Sequence, residues 1–261
     1  MRVTLTRSGY LVFAVLLAAI MLPMGCGHYL VPGPFQPLAK ENQQAPDSET
    51  YMEVADDGTV TYVQNRLEIS VRPMVDEELN RQFAALSQDG KGPADELPTN
   101  AFTYGDWVDK KTGKPPQRFS IFKVIVKNYE LPKVKFDPLN VTIESANGRT
   151  YYPWGSFDFE EYFRRFPRAF NGLGYRRLEE RLGMARRGQY PDDEFCFSGQ
   201  EVEGYVIFPR IHDDVEEVTF QLSELGLRYN FRNEPVETKD LAFRFQRELI
   251  KVRTYEELAV E

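Results

Sequence analysis

The run RFSIFKVIVKNY, Arg118 to Tyr129, limits the possible folds of this chain more than any other stretch. In an extended backbone, Phe119, Ile121, Lys123, Ile125 and Lys127 share one face, and Phe122, Val124 and Val126 share the other. Both faces carry bulky apolar side chains, so the strand belongs near the middle of a sheet with material packed on each side. A sheet with one wet face has nowhere to hide it. The chain must stack layers.

The flanking sequence supplies the strands for such a stack. In RLEISVRPM, Leu67, Ile69 and Val71 alternate with Glu68, Ser70 and Arg72, which predicts one buried and one wet face. Asp57-Gly58 and Asn147-Gly148 mark hairpin turns. VTIES, TYYPW, GQEVEGYVIFPRI and EEVTFQLSEL continue the pattern, with HDD as a turn before the last of them. LRYNFRNEPVE and DLAFRFQRELIKV read as a closing pair. An aromatic content of 13% with 17 Pro and 18 Gly suits short strands and many turns. The expected fold class is mainly β, a β-sandwich with its core at about 119–225.

Helical signals occupy two places. DEELNRQFAAL has Asp76 placed to cap and Leu79, Phe83 and Leu86 at helical spacing. Between TYYPW and CFSGQEVEG a long insertion, about 156–192, reads as a helical hairpin. Its first helix has Ser156 as cap, Glu160 and Glu161 early, and Arg164 and Arg165 late, the polarity a helix dipole favours. Its second, GYRRLEERLGMARRG, turns Leu178, Leu182 and Met184 inward.

At the N-terminus, Arg2 and Arg7 precede the apolar run YLVFAVLLAAIMLPM, and Gly25 and Cys26 follow. That order is a secretory signal over residues 1–25. The run is shorter than the ~20 residues a helix needs to cross a bilayer. Residues 26–50, rich in Pro, Gln and acids, read as a flexible tether to a β-rich globular domain over 51–261. The Gly25-Cys26 junction resembles the lipobox of bacterial lipoproteins, although Leu22 lies one place early, Pro23 takes the usual Leu position and Met24 replaces a small residue. The resemblance implies acylation of Cys26, with cleavage without lipid and an uncleaved anchor as the alternatives. Gly27 resembles the outer-membrane sorting pattern, so the expected location is the outer membrane, facing the periplasm.

A second resemblance rests on VKN (126–128), FDPLNVTI, NGRTYYP and SGQEVEGYVIFP, with Gly204, Phe208 and Pro209 as a Gly-turn, aromatic, Pro series. These segments resemble immunoglobulin-like sandwich domains of bacterial envelope lipoproteins. The resemblance implies that fold and no catalysis.

The formal charge is −8, and −10 for residues 26–261, which argues against a general nucleic-acid or anionic-lipid binder. Arg164 to Arg187 runs the other way, with eight Arg and two Glu. Arg164, Arg165, Arg168, Arg176, Arg177 and Arg181 are the candidate contact residues, because guanidinium forks suit phosphate and carboxylate. A solvated helix face is the plainer alternative. With Cys26 acylated, Cys196 has no partner for a disulfide and reads as a buried thiol. His212 with Asp213 and Asp214 reads as a polar turn, and no zinc, calcium, nucleophile-elbow or phosphate-loop motif occurs. No cofactor is implied.

The expected function is that of a non-enzymatic, membrane-anchored envelope lipoprotein that scaffolds or binds another envelope component. Its expected partners are the bilayer, through Cys26, and an envelope protein. An accessory subunit of an envelope transport or assembly machine is the alternative, and a carboxylate-dependent hydrolase ranks third.

Overall fold

The structure, a computed structural model, describes residues 29–43, 51–87, 99–105, 107–109, 115–165 and 172–253, with backbone only for 172–176. Cys26 and Arg168 lie outside the described residues, as does the side chain of Arg176. Leu30–Ile250 form one compact unit; of the residues outside it, 29 and 251–253 are described.

Fourteen strands are described. They are β1 (Tyr29–Pro32), β2 (Gln36–Pro37), β3 (Tyr51–Val54), β4 (Val60–Gln64), β5 (Leu67–Pro73), β6 (Phe119–Asn128) and β7 (Lys133–Val134), followed by β8 (Val141–Ser145), β9 (Thr150–Tyr151), β10 (Cys196–Phe197), β11 (Gln200–Pro209), β12 (Glu217–Tyr229), β13 (Pro235–Gln246) and β14 (Leu249–Val252). The described α-helices are α1 (Asp76–Gln82), α2 (Ala84–Ser87), α3 (Ser156–Arg164) and α4 (Gly172–Gly188). The protein is mainly β.

Two five-stranded antiparallel sheets dominate, in the orders β11-β6-β5-β4-β3 and β2-β13-β12-β8-β9. They meet face to face. Phe122 of the first sheet packs on Phe220 and Phe245 of the second, with ring centroids 5.3 and 5.6 Å apart. Around them Ile69, Val71, Val124, Val126, Leu222 and Phe243 form one continuous apolar core. The other face of β6 and β11 is covered by helices. Phe119, Ile121, Tyr205 and Ile207 pack there against Phe159, Phe163, Leu178 and Leu182. The double-sided strand therefore has a sheet on one side and a helical layer on the other, as its sequence demands.

Beyond the helices the outer face turns polar. Lys123 pairs diagonally with Glu203 at 2.7 Å and Lys127 approaches Glu201, its partner in the β6–β11 register, at 3.9 Å. Both expected hairpins close, with Gly58 at φ +85° and Gly148 at φ +82°, a region open to glycine without a Cβ clash.

Several expectations are corrected. The tether expected over 26–50 is not free at residues 30–43. Phe35 and Leu38 are buried, β2 pairs with Phe245 and Gln246 of β13, and the Gln43 side chain donates to the carbonyls of Leu38 and Arg244 at 3.1 and 2.8 Å. Proline suits this segment because an edge strand two residues long needs few N–H donors. The sheets also reach well beyond 119–225, from Gln36 to Gln246. EEVTFQLSEL and the start of LRYNFRNEPVE form one strand: β12 runs on to Tyr229, kinked where Glu224 adopts φ +57° and donates its N–H to Asp240 Oδ1 at 2.8 Å, and the rest of LRYNFRNEPVE is the turn and the first residues of β13. The helix caps move by one residue. Val75 caps α1, so Asp76 is its first helical residue. Gly155 caps α3, its N–H bonded to Asp158 Oδ2 at 2.8 Å, so Ser156 is inside the helix.

Candidate functional site

The insertion returns to the sheet at Gly188, where α4 ends and the chain runs beside the edge strand β11. There Tyr190 N donates to Tyr205 O at 2.9 Å, Gln189 Nε2 to Trp154 O at 2.8 Å, and Trp154 N to Ile207 O at 2.7 Å. The approach is close enough to demand glycine. A Cβ on Gly204 would lie 2.4 Å from Tyr190 Cα, and one on Gly188 2.7 Å from Phe102 Cζ. This seam, between Trp154 and Tyr190, is the floor of a cavity of about 480 Å³.

Arg186 and Arg187 overhang that cavity, and Asp192, Glu194 and Glu203 also line it. Neither arginine makes an ion pair among the described residues. They occupy the last turn of α4, where the helix dipole favours cations. Across the seam lies a second cavity of about 320 Å³, shared by Arg187, Glu203, Tyr205, Lys123 and Gln82. Sharing Arg187, Glu203 and Tyr205, the two form one groove lined by cations and carboxylates together. A polypeptide segment or small ligand with an anionic group fits that distribution.

At the other end of the hairpin, polar groups are buried beneath the helices. Arg118, at the foot of β6, is 5% exposed. Its Nη1 donates to the carbonyls of Asn100 and Ala101 at 2.9 and 3.3 Å, and its guanidinium lies 4.2 Å from the Tyr104 ring. Nε has no partner among the described residues. Burial lowers the Arg118 pKa; burial, then the charges of Arg118 and Arg177, lowers that of Arg181 to about 10. Burial pushes the Asp76 carboxyl up to about 7, with Glu77 adding to the rise and Arg118 opposing it. The Tyr162 hydroxyl, 3.2 Å from that of Tyr104, is raised by burial and by that hydrogen bond. The cluster binds the 99–105 segment to sheet and hairpin, which is a structural role.

The structure distributes the expected contact residues between two settings. Arg164 and Arg165 are on the surface of α3 and pair with Glu160 at 2.7 Å and Glu161 at 2.5 Å. Arg177 and Arg181 are on α4, and Arg181 turns inward over the Phe163 ring at 5.8 Å. Arg186 and Arg187 belong to the same basic run, yet only the placement of Gly188 against Phe102 sets them beside a cavity. Cys196 is buried, its Sγ 3.3 Å from Gln200 O, and burial raises its pKa. His212 Nδ1 lies 3.0 Å from the Tyr151 hydroxyl, and its carbonyl accepts from Arg247, so it fastens the turn before β12.

No protein-family model, no curated protein and no solved structure matches this chain.

Proposed function

We propose that this chain is a non-enzymatic envelope lipoprotein, held to a membrane through acylated Cys26, whose immunoglobulin-like sandwich binds another envelope component. The N-terminal basic, apolar and Gly-Cys order supports the anchor. Antiparallel sheets joined by chain crossings at β6 to β8, β9 to β11 and β11 to β12 support the sandwich class. The observation that carries the binding role is the groove at the β11 edge, where Arg186 and Arg187 overhang a cavity of about 480 Å³. Its occupant is read as an envelope protein segment that brings a carboxylate to the two arginines.

Metabolic palmitate labelling with and without globomycin tests the anchor. Label that is lost in Cys26→Ser supports it, and an unlabelled, unshifted chain overturns it. A photo-crosslinker in place of Leu139, which is half exposed beside the groove, tests binding in cells. A discrete crosslinked protein that disappears in Arg186→Glu/Arg187→Glu supports the groove. A pattern unchanged by that charge reversal excludes it.

A further inference from the structure

The two ends of the sandwich are chemically different, and covalent geometry restricts which of them can approach the anchor. Leu30–Phe35 run along the end where β13 finishes: Gly33 N donates to Glu248 O at 2.9 Å, and Arg247 lies 4.5 Å from the Phe35 ring. A cavity of about 280 Å³ joins Pro32–Phe35 to Met74–Glu77, Gln117 and Ser120–Phe122. The same end therefore holds the foot of β6, where Phe119 faces Pro209 and Arg118 lies 5.7 Å from the Phe163 ring. Phe163 is in the last turn of α3, next to Arg164 and Arg165, and α4 returns from that end past Arg177. The opposite end carries the turn between β12 and β13, with Phe231 90% exposed. Twelve residues of β13 separate the two ends by ~40 Å at about 3.3 Å per residue.

Only Gly27, His28 and Tyr29 stand between Cys26 and Leu30. Four residues of chain reach at most ~14 Å. An acyl chain on Cys26 thus confines Leu30, and the end it belongs to, to the vicinity of the headgroups. The described cations that this end presents are Arg164, Arg165 and Arg177, in a chain that is otherwise acidic; Arg181 turns inward and Arg186 and Arg187 lie at the groove. Asp76 and Glu77 line the cavity at this end and oppose its three cations. The Glu160 and Glu161 partners of Arg164 and Arg165 are solvent-exposed i,i+4 pairs worth ~0.3–0.5 kcal/mol, so lipid phosphate competes with them readily. A basic residue near an anionic surface gains about 1 kcal/mol, and the effect decays within a Debye length.

We propose that the hairpin-loop end of the helical insertion, bearing Arg164, Arg165 and Arg177, faces the anionic lipid headgroups of the membrane that holds Cys26. The body stands on that end, with the Phe231 turn directed away from the bilayer. This orientation rests on the acylation of Cys26 and is independent of the groove.

The test uses the acylated chain in vesicles of phosphatidylcholine alone or with phosphatidylglycerol. Because Cys26 is acylated and Cys196 buried, a cysteine at Glu161→Cys or Phe231→Cys takes a fluorophore selectively. The expected result is strong quenching of the 161 label by a nitroxide headgroup lipid and little of the 231 label. In the phosphatidylglycerol vesicles, Arg164→Glu/Arg165→Glu/Arg177→Glu should cut the quenching at 161 by more than half. Equal quenching at the two sites, or stronger quenching at 231, overturns the orientation. Quenching unmoved by charge reversal overturns the headgroup contact. Failure of the chain to float with vesicles or to take palmitate instead marks failure of the anchor.

Discussion

The β11-β6-β5-β4-β3 sheet has two covered faces built on opposite terms. Its inner face meets the second sheet through side chains that are almost wholly apolar, with Phe122, Phe208, Phe220, Phe243 and Phe245 in a chain of ring contacts between 5.3 and 6.2 Å. Its outer face meets the helices through a mixed layer, in which the buried Arg118 and the half-buried Tyr104 and Tyr162 pack with Phe119 and Phe163, and the half-buried Asp76 lies at the edge beside a cavity. Phe119 and Phe122 are three residues apart on β6 and serve the two faces separately. The inner layer derives its stability from close packing of area. The outer layer spends part of its stability on desolvating charge, and cavities line its edges.

The largest test of that contrast is Phe220→Ala. Phe220 is fully buried and touches rings of both sheets, so the substitution should cost about 4 kcal/mol in urea unfolding. A cost under 1 kcal/mol would show that the inner layer collapses into the hole and is no better packed than the outer. Arg118→Met comes next. It keeps an apolar stem but removes the donor to Asn100 and Ala101 and the stacking on Tyr104, and the expected loss is about 2 kcal/mol. A gain in stability would mean that desolvation of the guanidinium outweighs its contacts, as buried charges can.

Asp76 brings pH into the comparison. Its folded-state pKa, about 7, lies above the ordinary 3.8, so folding favours the protonated carboxyl. This contribution is fully present below about pH 4, declines as pH rises to 7 and is gone above it. Since the side chain borders a water-accessible cavity, the loss should be about 2 kcal/mol, less than the full shift implies. Asp76→Asn should therefore be more stable than the parent at pH 8 and indistinguishable at pH 4. Thermal unfolding between pH 4 and 8 reads this out, and parallel curves would place the carboxyl in free solvent. In the Arg118→Met background the pH effect should grow, because Arg118 opposes the rise.

Local signals announced the elements with local causes. Alternation at Leu67, Ile69 and Val71, the Asp57-Gly58 and Asn147-Gly148 turns, and the inward stripe Leu178, Leu182 and Met184 correspond to β5, two hairpins and the buried side of α4. Features made by distant pairing had no such signal. Residues 30–43 look like a spacer because composition reports nothing of Gln43 bonding to Arg244, 201 positions away. Arg118 follows a Pro-Pro-Gln stretch that reads as a polar turn, and only the helical layer laid over it makes it a buried cation. Of the candidate groove, the basic run was legible. Its pairing with a cavity was not, because Gly188 and Gly204 had to be seen against Phe102 and Tyr190.

The smallest expected effect concerns the outer surface of the helical layer. Arg165 and Glu161 are 70% and 54% exposed and follow the favourable order, with the acid four residues ahead of the base. Arg165→Ala should cost about 0.3 kcal/mol, and 1 M salt should erase most of that, since screening shortens the range of the pair to ~3 Å. Chemical denaturation at low and high salt gives the answer. A loss above 1 kcal/mol, unmoved by salt, would make Arg165 part of the packed layer beneath it, with Arg118 and Arg181. It would then be held by the fold and not free for the headgroup contact. A small, salt-sensitive loss leaves it as a cation that folding hardly needs, which is the condition for its charge to be turned toward a surface outside the molecule.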